Sequence, residues 1–426
     1  MIERHKELAR SIQLIVGVDH ISEEPAFEID GSRPIVVVRP ACAAEVAGCL
    51  KVCSDSEAAV VPAGRMTWLE CGNPLERVDV VISLERMCRI LQFSPPDLTA
   101  TVEAGLTLSE FTAVSARERQ WLPFDPPGHE SASLGAIASC NSSGALRLGF
   151  GTPRDYVIGL KLAHADGTES KSGGQVVKNV AGYDMNKLYV GSYGTLAIIT
   201  ELTFKLRPLA ERISTMMVTA RSRAQLFDLA RRLLASELQP ASVVFSRGLS
   251  LSPALDGSGE ALLIRFINSE AAVEHQLGWV TRSLEATSVA AVLGPGEADA
   301  AWAAVANFDE QDVRLRLSVP LSAVPAEFEK AVSTHEECVA TADIGAGIIR
   351  IAFNTGADSA VDKINRLRAG VAAANGTLVV ERAATEVRRQ SGVWGDMGST
   401  AALMRTLKLT FDPKELLNPG IFVWGT

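Results

Sequence analysis

The stretch from Val176 to Pro208 constrains the fold of this chain more than any other. A polar, glycine-bearing string, Lys178-Asn179-Val180-Ala181-Gly182-Tyr183-Asp184, leads toward the turn Gly191-Ser192-Tyr193-Gly194-Thr195. An apolar run, Leu196 to Ile199, follows and closes with Thr200-Glu201. Leu202 to Leu206 then alternates in period two and stops at Pro208. Alternation of this kind belongs to a strand with one buried face, so two successive strands are expected. Small residues packed densely before them let a ligand approach the backbone closely.

The rest of the chain supplies sheets and helices around that segment. Its 426 residues exceed one ordinary core, so about two or three domains are expected. Ile35 to Val38, Ala58 to Val61 and Val78 to Leu84 read as strands, and Ala44 to Ser54 as a helix with Val46, Cys49, Leu50 and Cys53 on one face. Leu98 to Glu103 and Val157 to His164 read as further strands, with a helix over Leu108 to Arg117. Beyond Pro208, strands are expected at Ser214 to Val218, Ser242 to Phe245, Leu262 to Phe266, Val313 to Val319, Gly347 to Phe353 and Thr377 to Val380. Helices fall between them. One has Ser222 as its N-cap, and another carries Val361, Ile364, Leu367 and Val371 on one face. This pattern predicts an α+β layer, a sheet covered by helices on one side.

Composition excludes several functions. A net charge of −9 gives no basic footprint for nucleic acid and disfavours attraction to an anionic membrane. Met1 to Arg10 is charged and lacks a signal-peptide core, and no apolar run reaches membrane-spanning length. A cytoplasmic location is expected, with membrane association only through partners. The seven cysteines form no CxxC pair, so an iron–sulfur or zinc site within the chain is not expected. They read as reduced, buried thiols.

Two more segments are rich in small residues. The strand ending at Val61 runs into Pro62-Ala63-Gly64-Arg65-Met66-Thr67, with Gly72 beyond. Pro123 to Gly144 is a long, nearly uncharged stretch holding Pro127, Ser131-Ala132-Ser133, Gly135-Ala136, Ser139 and Asn141. A loop of that length is functional or disordered, and its composition disfavours disorder. Neither segment carries the GxGxxG of a dinucleotide fold.

Together these segments resemble the FAD-linked oxidase family with the vanillyl-alcohol-oxidase, or p-cresol-methylhydroxylase (PCMH), type of FAD-binding fold. The Lys178 to Asp184 string is most similar to the FAD-binding subunits of bacterial glycolate oxidases, and Phe411-Asp412-Pro413 with Leu416 to Gly420 extends the likeness toward the C-terminus. The resemblance implies an FAD-binding domain over 1–208, in subdomains of about 30–95 and 96–208. An α+β cap with an antiparallel sheet would occupy 209–385, and 386–426 would return to the FAD domain. It implies FAD held noncovalently. Contacts would come from Pro62, Gly64, Arg65, Met66, Thr67, Gly72, Gly105, Pro127, Ser131, Ala132, Ser133, Gly135, Ala136, Ser139, Asn141, Gly144, Gly194, Thr195 and the backbone at Ile199.

One departure stands out. The family's pyrophosphate loop has consecutive glycines where this chain has Arg65 and Met66. If both positions need positive φ, each is strained by about 1–2 kcal/mol. Alternatively, Arg65 neutralises the pyrophosphate directly, or the loop is an ordinary turn with a surface arginine.

Oxidation of a 2-hydroxy acid needs a cation for the carboxylate and a base for the hydroxyl proton. The six histidines form no HxH pair and no metal-binding cluster. No metal is expected. Arg350, in the Gly347 to Phe353 strand, and Arg382, just after Thr377 to Val380, are the candidate carboxylate ligands. Tyr183 and Asp184, with Lys178 and Asn179, could line the same cavity. The resemblance implies a subunit acting on glycolate or a similar small 2-hydroxy acid, beside a homologous catalytic flavoprotein subunit and an iron–sulfur subunit. A standalone FAD-dependent dehydrogenase and a scaffold without FAD are the alternatives.

Overall fold

The computed structural model describes residues 2–128, 131–175, 183–251, 259–307 and 311–422. The Lys178 to Gly182 string and His129 lie outside them.

The first sheet has four strands in the order Ile21–Glu23, Val36–Val38, Val80–Ser83, Val60–Ala63. The last three run parallel. Continuous apolar triplets such as Val36-Val37-Val38 suit this sheet, because both its faces are buried. Helix Ala43–Asp55 packs with Val46, Cys49, Leu50 and Cys53 inward. Cys42 caps it without a side-chain bond, and Glu45 accepts the Ala41 N–H at 2.7 Å instead.

The second sheet is antiparallel, in the order Ile90–Ser94, Thr99–Glu103, Ile198–Lys205, Val157–Ala163, Glu169–Gly173. Here the expectation of two strands after the Gly191 turn is corrected. Ile198–Lys205 is one strand with a bulge, its register against Val157–Ala163 shifting between Ile199 and Glu201. Thr200 is the extra residue. Its hydroxyl donates to the Lys161 carbonyl at 3.2 Å, and its carbonyl accepts from Ala104 N–H at 3.0 Å. One apolar core, including Val60, Val80, Val102, Leu160 and Phe204, joins both sheets.

The third sheet has eight antiparallel strands, in the order Val289–Val292, Arg212–Thr219, Glu260–Asn268, Ser242–Arg247, Val339–Asp343, Ile348–Phe353, Val313–Ser318, Thr377–Arg382. Two of these, Val289–Val292 and Val339–Asp343, were not expected, because alanine dilutes their β-branched signal. Helices Arg223–Leu234, Glu270–Ser283, Val324–Ser333 and Ala357–Ala373 cover one face. Ser222 caps the first of them in a capping box with Gln225. The other face is not bare, as a one-sided layer would leave it: Pro295–Ala306 covers one end through Ala301 and Val305. The uncovered part of that face carries Arg314, Arg316 and Arg350, in alternation with the buried Leu315, Leu317, Ile349 and Ile351.

Helix Thr400–Phe411 precedes a segment that returns to the first sheet. Val60 N–H donates to Leu416 O at 2.7 Å, and Asn418 N–H to Val60 O at 2.8 Å. The buried Lys408 ammonium donates to Asp412, to Thr195 O at 2.9 Å and to Leu417 O at 2.8 Å, tying this segment to the Gly191 turn. Among the described residues no helix is long and apolar enough to cross a membrane.

Candidate functional site

Three glycines bring three backbone segments into contact. A Cβ on Gly64 would lie 1.9 Å from Ser133 Oγ, one on Gly135 2.7 Å from Ala104 Cβ, and one on Gly105 1.8 Å from Leu84 O. No side chain larger than hydrogen fits at these positions. Ser133 begins helix Leu134–Cys140 and accepts the Ala136 N–H at 3.2 Å. The contacts leave a trough walled by small residues. Pro62, Gly64, Met66 and Thr67 form one side, Ser133, Gly135, Ala136 and Ser139 another, and Gly194 and Ile199 close it. Asn418 and Ile421 of the returning C-terminal segment also line it.

Arg65 does not face this trough, and the expectation that it meets a pyrophosphate directly is corrected. Its Nε donates to Gly105 O at 3.1 Å, and its Nη2 pairs with Glu110 at 3.1 Å. Glu110 is fixed by the capping box it forms with Thr107, whose N–H donates to it at 2.8 Å. The strain expected at both residues falls on Met66 alone, at φ +58°. Among the described residues, the amides of Arg65, Met66 and Thr67 find no acceptor. They leave three consecutive donors at the rim of the trough.

Other expected contacts stand behind the walls. Ser131 is exposed, its hydroxyl 3.4 Å from Gly128 O. Ala132 is core. Thr195 is buried, its hydroxyl donating to Ser192 O at 2.7 Å. Gly72, Pro127 and Asn141 line a second hollow. Gly144 donates its N–H to Asp125 at 3.0 Å beside a small cavity behind that hollow.

The second hollow is a cleft against the open face of the eight-stranded sheet. It shares Trp68, Cys71, Cys140 and Tyr193 with the trough, so the two spaces adjoin. Four guanidiniums line it: Arg147, Arg314, Arg316 and Arg350. The Glu381 carboxylate lies 3.3 Å from Arg314, 3.1 Å from Arg316 and 3.4 Å from Arg350. Burial pushes the Glu381 carboxyl up, but Arg350, Arg316 and Arg314 outweigh it and hold it below the usual range. Nε of Arg314, Nε of Arg350 and Oε2 of Glu381 are buried without an aligned hydrogen bond. The cluster therefore has bonding capacity left and an excess of positive charge, the requirement for an anion site.

Arg350 is thus placed in the cleft, and Arg382 is not. Arg382 is exposed at a separate hollow beside Asp312 and Val387. Tyr183 stands 96% exposed, and Asp184 accepts the Asn186 N–H at 3.2 Å, so neither lines the cleft. Among the described residues no histidine lines trough or cleft. Tyr193 is kept neutral, since burial raises its phenol strongly. Asp343, in the cavity behind Arg350, is pushed up to about 7 by burial, although Arg350 and Arg147 pull it down. Sequence reasoning missed Arg147, Arg314, Arg316, Glu381 and Asn418. The alternation in Val313-Arg314-Leu315-Arg316-Leu317 was the available signal, since it puts two arginines on one strand face.

Comparison with known proteins agrees with this architecture. Residues 34–173 match the FAD binding domain family, and residues 209–421 match the family of FAD linked oxidases, C-terminal domain. The chain belongs to the FAD-linked oxidases, a family of FAD-dependent oxidoreductases, and its cofactor is FAD. It is 34% identical over 215 residues to the glycolate oxidase subunit GlcD of Bacillus subtilis (strain 168), covering 50% of this chain and 46% of that one. It is 33% identical over 223 residues to a D-lactate dehydrogenase of Anaerostipes hadrus, again spanning 46% of that relative. A D-2-hydroxyglutarate dehydrogenase of Xanthomonas citri pv. viticola aligns over 96% of this chain and 95% of its own length, at 27% identity. The structure of p-cresol methylhydroxylase with substrate bound superposes with TM-score 0.76 at 15% identity, over 99% of this chain and 97% of that one. The α+β fold of PCMH type is the fold observed.

The trough fits the cofactor. Its three unpaired amides suit a pyrophosphate, and its glycine-fixed walls leave a space that no side chain of this chain fills.

Proposed function

We propose that this chain is an FAD-dependent oxidoreductase subunit acting on a small 2-hydroxy acid, glycolate or a near relative. In this reading it works in a complex with a homologous catalytic flavoprotein subunit and an iron–sulfur subunit. The observation that carries the proposal is the arginine cluster around Glu381, in a cleft that adjoins the FAD trough. FAD, held by the Gly64 to Thr67 loop, Ser133, Gly135, Gly194 and Ile199, supplies acceptance of a hydride from a carbon bearing a hydroxyl. Arg350 and Arg316 hold the carboxylate that fixes such a substrate, each guanidinium offering paired donors. Glu381 positions them, pinning guanidiniums that would otherwise repel one another. Trp68 and Tyr193 exclude water where the two spaces meet.

Among the described residues the one carboxylate of the cleft lining is Glu381, held by three arginines. The cleft lining holds no histidine among the described residues, and Tyr193 is neutral. The alternative, a standalone dehydrogenase, draws support from the near full-length similarity to a D-2-hydroxyglutarate dehydrogenase.

The test is anaerobic mixing of the FAD-loaded chain with glycolate or D-lactate, alone and with candidate partner subunits, following the flavin's visible absorbance. Bleaching only in the complex supports the subunit reading. Bleaching of the isolated chain selects the standalone enzyme. A protein whose flavin spectrum responds to no 2-hydroxy acid in either setting overturns both.

A further inference from the structure

The proposed chemistry needs one carboxylate held, and the cleft carries more positive charge than one carboxylate can meet. Among the described residues, Arg147, Arg314, Arg316 and Arg350 line it against the single carboxylate of Glu381. None of the four lines the trough, so a pyrophosphate at the Gly64 to Thr67 amides leaves their charge standing. Two further carboxylates, Asp125 and Asp343, line the small cavity behind Arg350 and not the cleft itself. Asp125 is engaged there by Arg265 at 3.3 Å and by the amides of Gly144 and Leu146, each at 3.0 Å. Asp343 accepts the Ala346 N–H at 3.3 Å.

The four arginines are not equivalent. Arg314, Arg316 and Arg350 stand on neighbouring strands of the eight-stranded sheet, each within 3.4 Å of Glu381. Arg147 comes from the short helix Arg147–Phe150, which Gly149 N–H fastens to the sheet by donating to Ala241 O at 3.1 Å. Arg350 reaches back to the segment before that helix, its Nη2 3.5 Å from Ser143 O. Among the described residues the Arg147 side chain makes no hydrogen bond and no ion pair, and it stands exposed in the cleft. Of its charged neighbours, Arg316 and Arg350 repel it, and Asp343 and Asp155 attract it without contact. A carboxylate shared by Arg316 and Arg350 therefore leaves Arg147 without a partner. Its planar fork of N–H donors matches the two oxygens of one more carboxylate.

We propose that the cleft takes a 2-hydroxy acid bearing a second carboxylate, and that Arg147 is the residue that selects it. The inference rests on the reading of the cleft as a 2-hydroxy-acid site and narrows it. The carboxylate next to the hydroxyl lies on Arg316 and Arg350, and the second lies on Arg147. Four cations then face three anions, Glu381 included. A monocarboxylate such as glycolate leaves two guanidinium charges uncompensated in the same space. Selection thus comes from a cation on a different element from the three that Glu381 pins, so it can be removed without dismantling their cluster.

The test uses the full-length, FAD-loaded protein and acids that the flavin cannot oxidise, titrated by calorimetry in pairs of equal carbon number: propionate against succinate, and butyrate against glutarate. The dicarboxylate of at least one pair is expected to bind about tenfold or more tightly than its monocarboxylate, the worth of one charged hydrogen bond. In Arg147→Gln that ratio should fall to within about twofold, and Arg147→Lys should keep part of it. The Arg147 side chain is exposed, so neither substitution disturbs the core, and the wild-type ratio stands without them. Equal affinity within both pairs, or a preference that Arg147→Gln leaves intact, overturns the proposal. Tighter binding of 3-phosphonopropionate than of succinate overturns the choice of carboxylate as the second group. Anaerobic mixing with lactate, malate and 2-hydroxyglutarate, alone and with partner subunits, separates this inference from the reading beneath it. Bleaching of the flavin by lactate as readily as by the dicarboxylates overturns the selection and leaves the 2-hydroxy-acid reading. A dicarboxylate preference that Arg147→Gln abolishes, with no bleaching by any of the three, upholds the selection and overturns that reading.

Discussion

Replacing Glu381 by glutamine removes the counter-charge of the cleft and keeps its shape. Arg316 and Arg350 sit directly opposite each other in register on neighbouring strands, a placement in which like charges are destabilising. The Glu381 carboxylate offsets that repulsion by lying within 3.4 Å of three guanidiniums. At an effective dielectric near 20, each such pair at ~4 Å is worth about 4 kcal/mol before desolvation and guanidinium repulsion are subtracted. Removing one partner of a buried pair costs roughly 3–5 kcal/mol. The low end applies here, because glutamine still accepts a hydrogen bond and the arginines are 15–26% exposed. Glu381→Gln should therefore lose about 3 kcal/mol in urea unfolding near neutral pH. The sign with pH follows from the depressed carboxyl. Its contribution is present above the ordinary carboxylate range and disappears as pH falls through the depressed value, so the variant lacks that acid-side loss. The variant cleft is also more cationic, so glycolate or sulfate should stabilise it more than wild type, by about 1.4 kcal/mol per tenfold gain in affinity. A loss below about 1 kcal/mol, with the same response to anions, would refute Glu381 as the counter-ion that holds the cluster together.

Asp343, pushed up to about 7 by burial, binds its proton more tightly folded than unfolded. Stability should fall by up to about 4 kcal/mol as pH rises from ~4 to ~7, and Asp343→Asn should flatten that slope in pH-resolved denaturation. Gly64→Ala places a Cβ 1.9 Å from Ser133 Oγ, so FAD content of the purified protein should drop at least tenfold, measured as flavin released by acid. Arg350→Ala should weaken carboxylate binding by about 10- to 100-fold, the worth of one charged hydrogen bond, whereas Arg382→Ala should leave it within about twofold, both read from flavin difference spectra. Asp30→Asn strands the buried Arg388 guanidinium, which otherwise pairs with Asp30. It should cost roughly 3–5 kcal/mol by urea unfolding.

The legible parts of the fold were those where one local rule decided the outcome. Val36 to Val38 and Val80 to Ser83 are apolar on both sides because parallel strands are covered on both sides. Ser222 with Gln225 announces a helix start in its own four residues. Thr200-Glu201 misled because a polar pair after an apolar run has the signature of a strand end. In the folded chain Thr200 satisfies its polar atoms inside the sheet, as a bulge, through partners on the Val157–Ala163 strand and the Ala104 turn. Those partners are distant in sequence, so no local rule could supply them. The Val339–Asp343 strand escaped for a related reason: its alanines are buried by neighbours on both sides rather than by a preference of their own.

The same division runs through the site. Gly64 and Gly135 could be named in advance because a Cβ is sterically forbidden there, and that necessity leaves a mark on the sequence. Charge leaves a weaker mark, because an arginine can turn either way. Arg65 was expected to meet phosphate, yet Glu110, fixed by its capping box forty-five residues away, claims it. Arg382 shows where a simple rule was available and unused. On the Thr377–Arg382 strand, Leu378 and Val380 are buried against the helices. Alternation then puts Arg382 in their phase and Glu381 in the phase of the cleft. A register shift against Arg314 and Leu315 makes Glu381 the bulged residue, and it lies among the arginines. Seeking a cation for a carboxylate drew attention to Arg382. Asking which face each residue of that strand occupies would have found the buried carboxylate instead, and with it the arginines that a buried carboxylate requires.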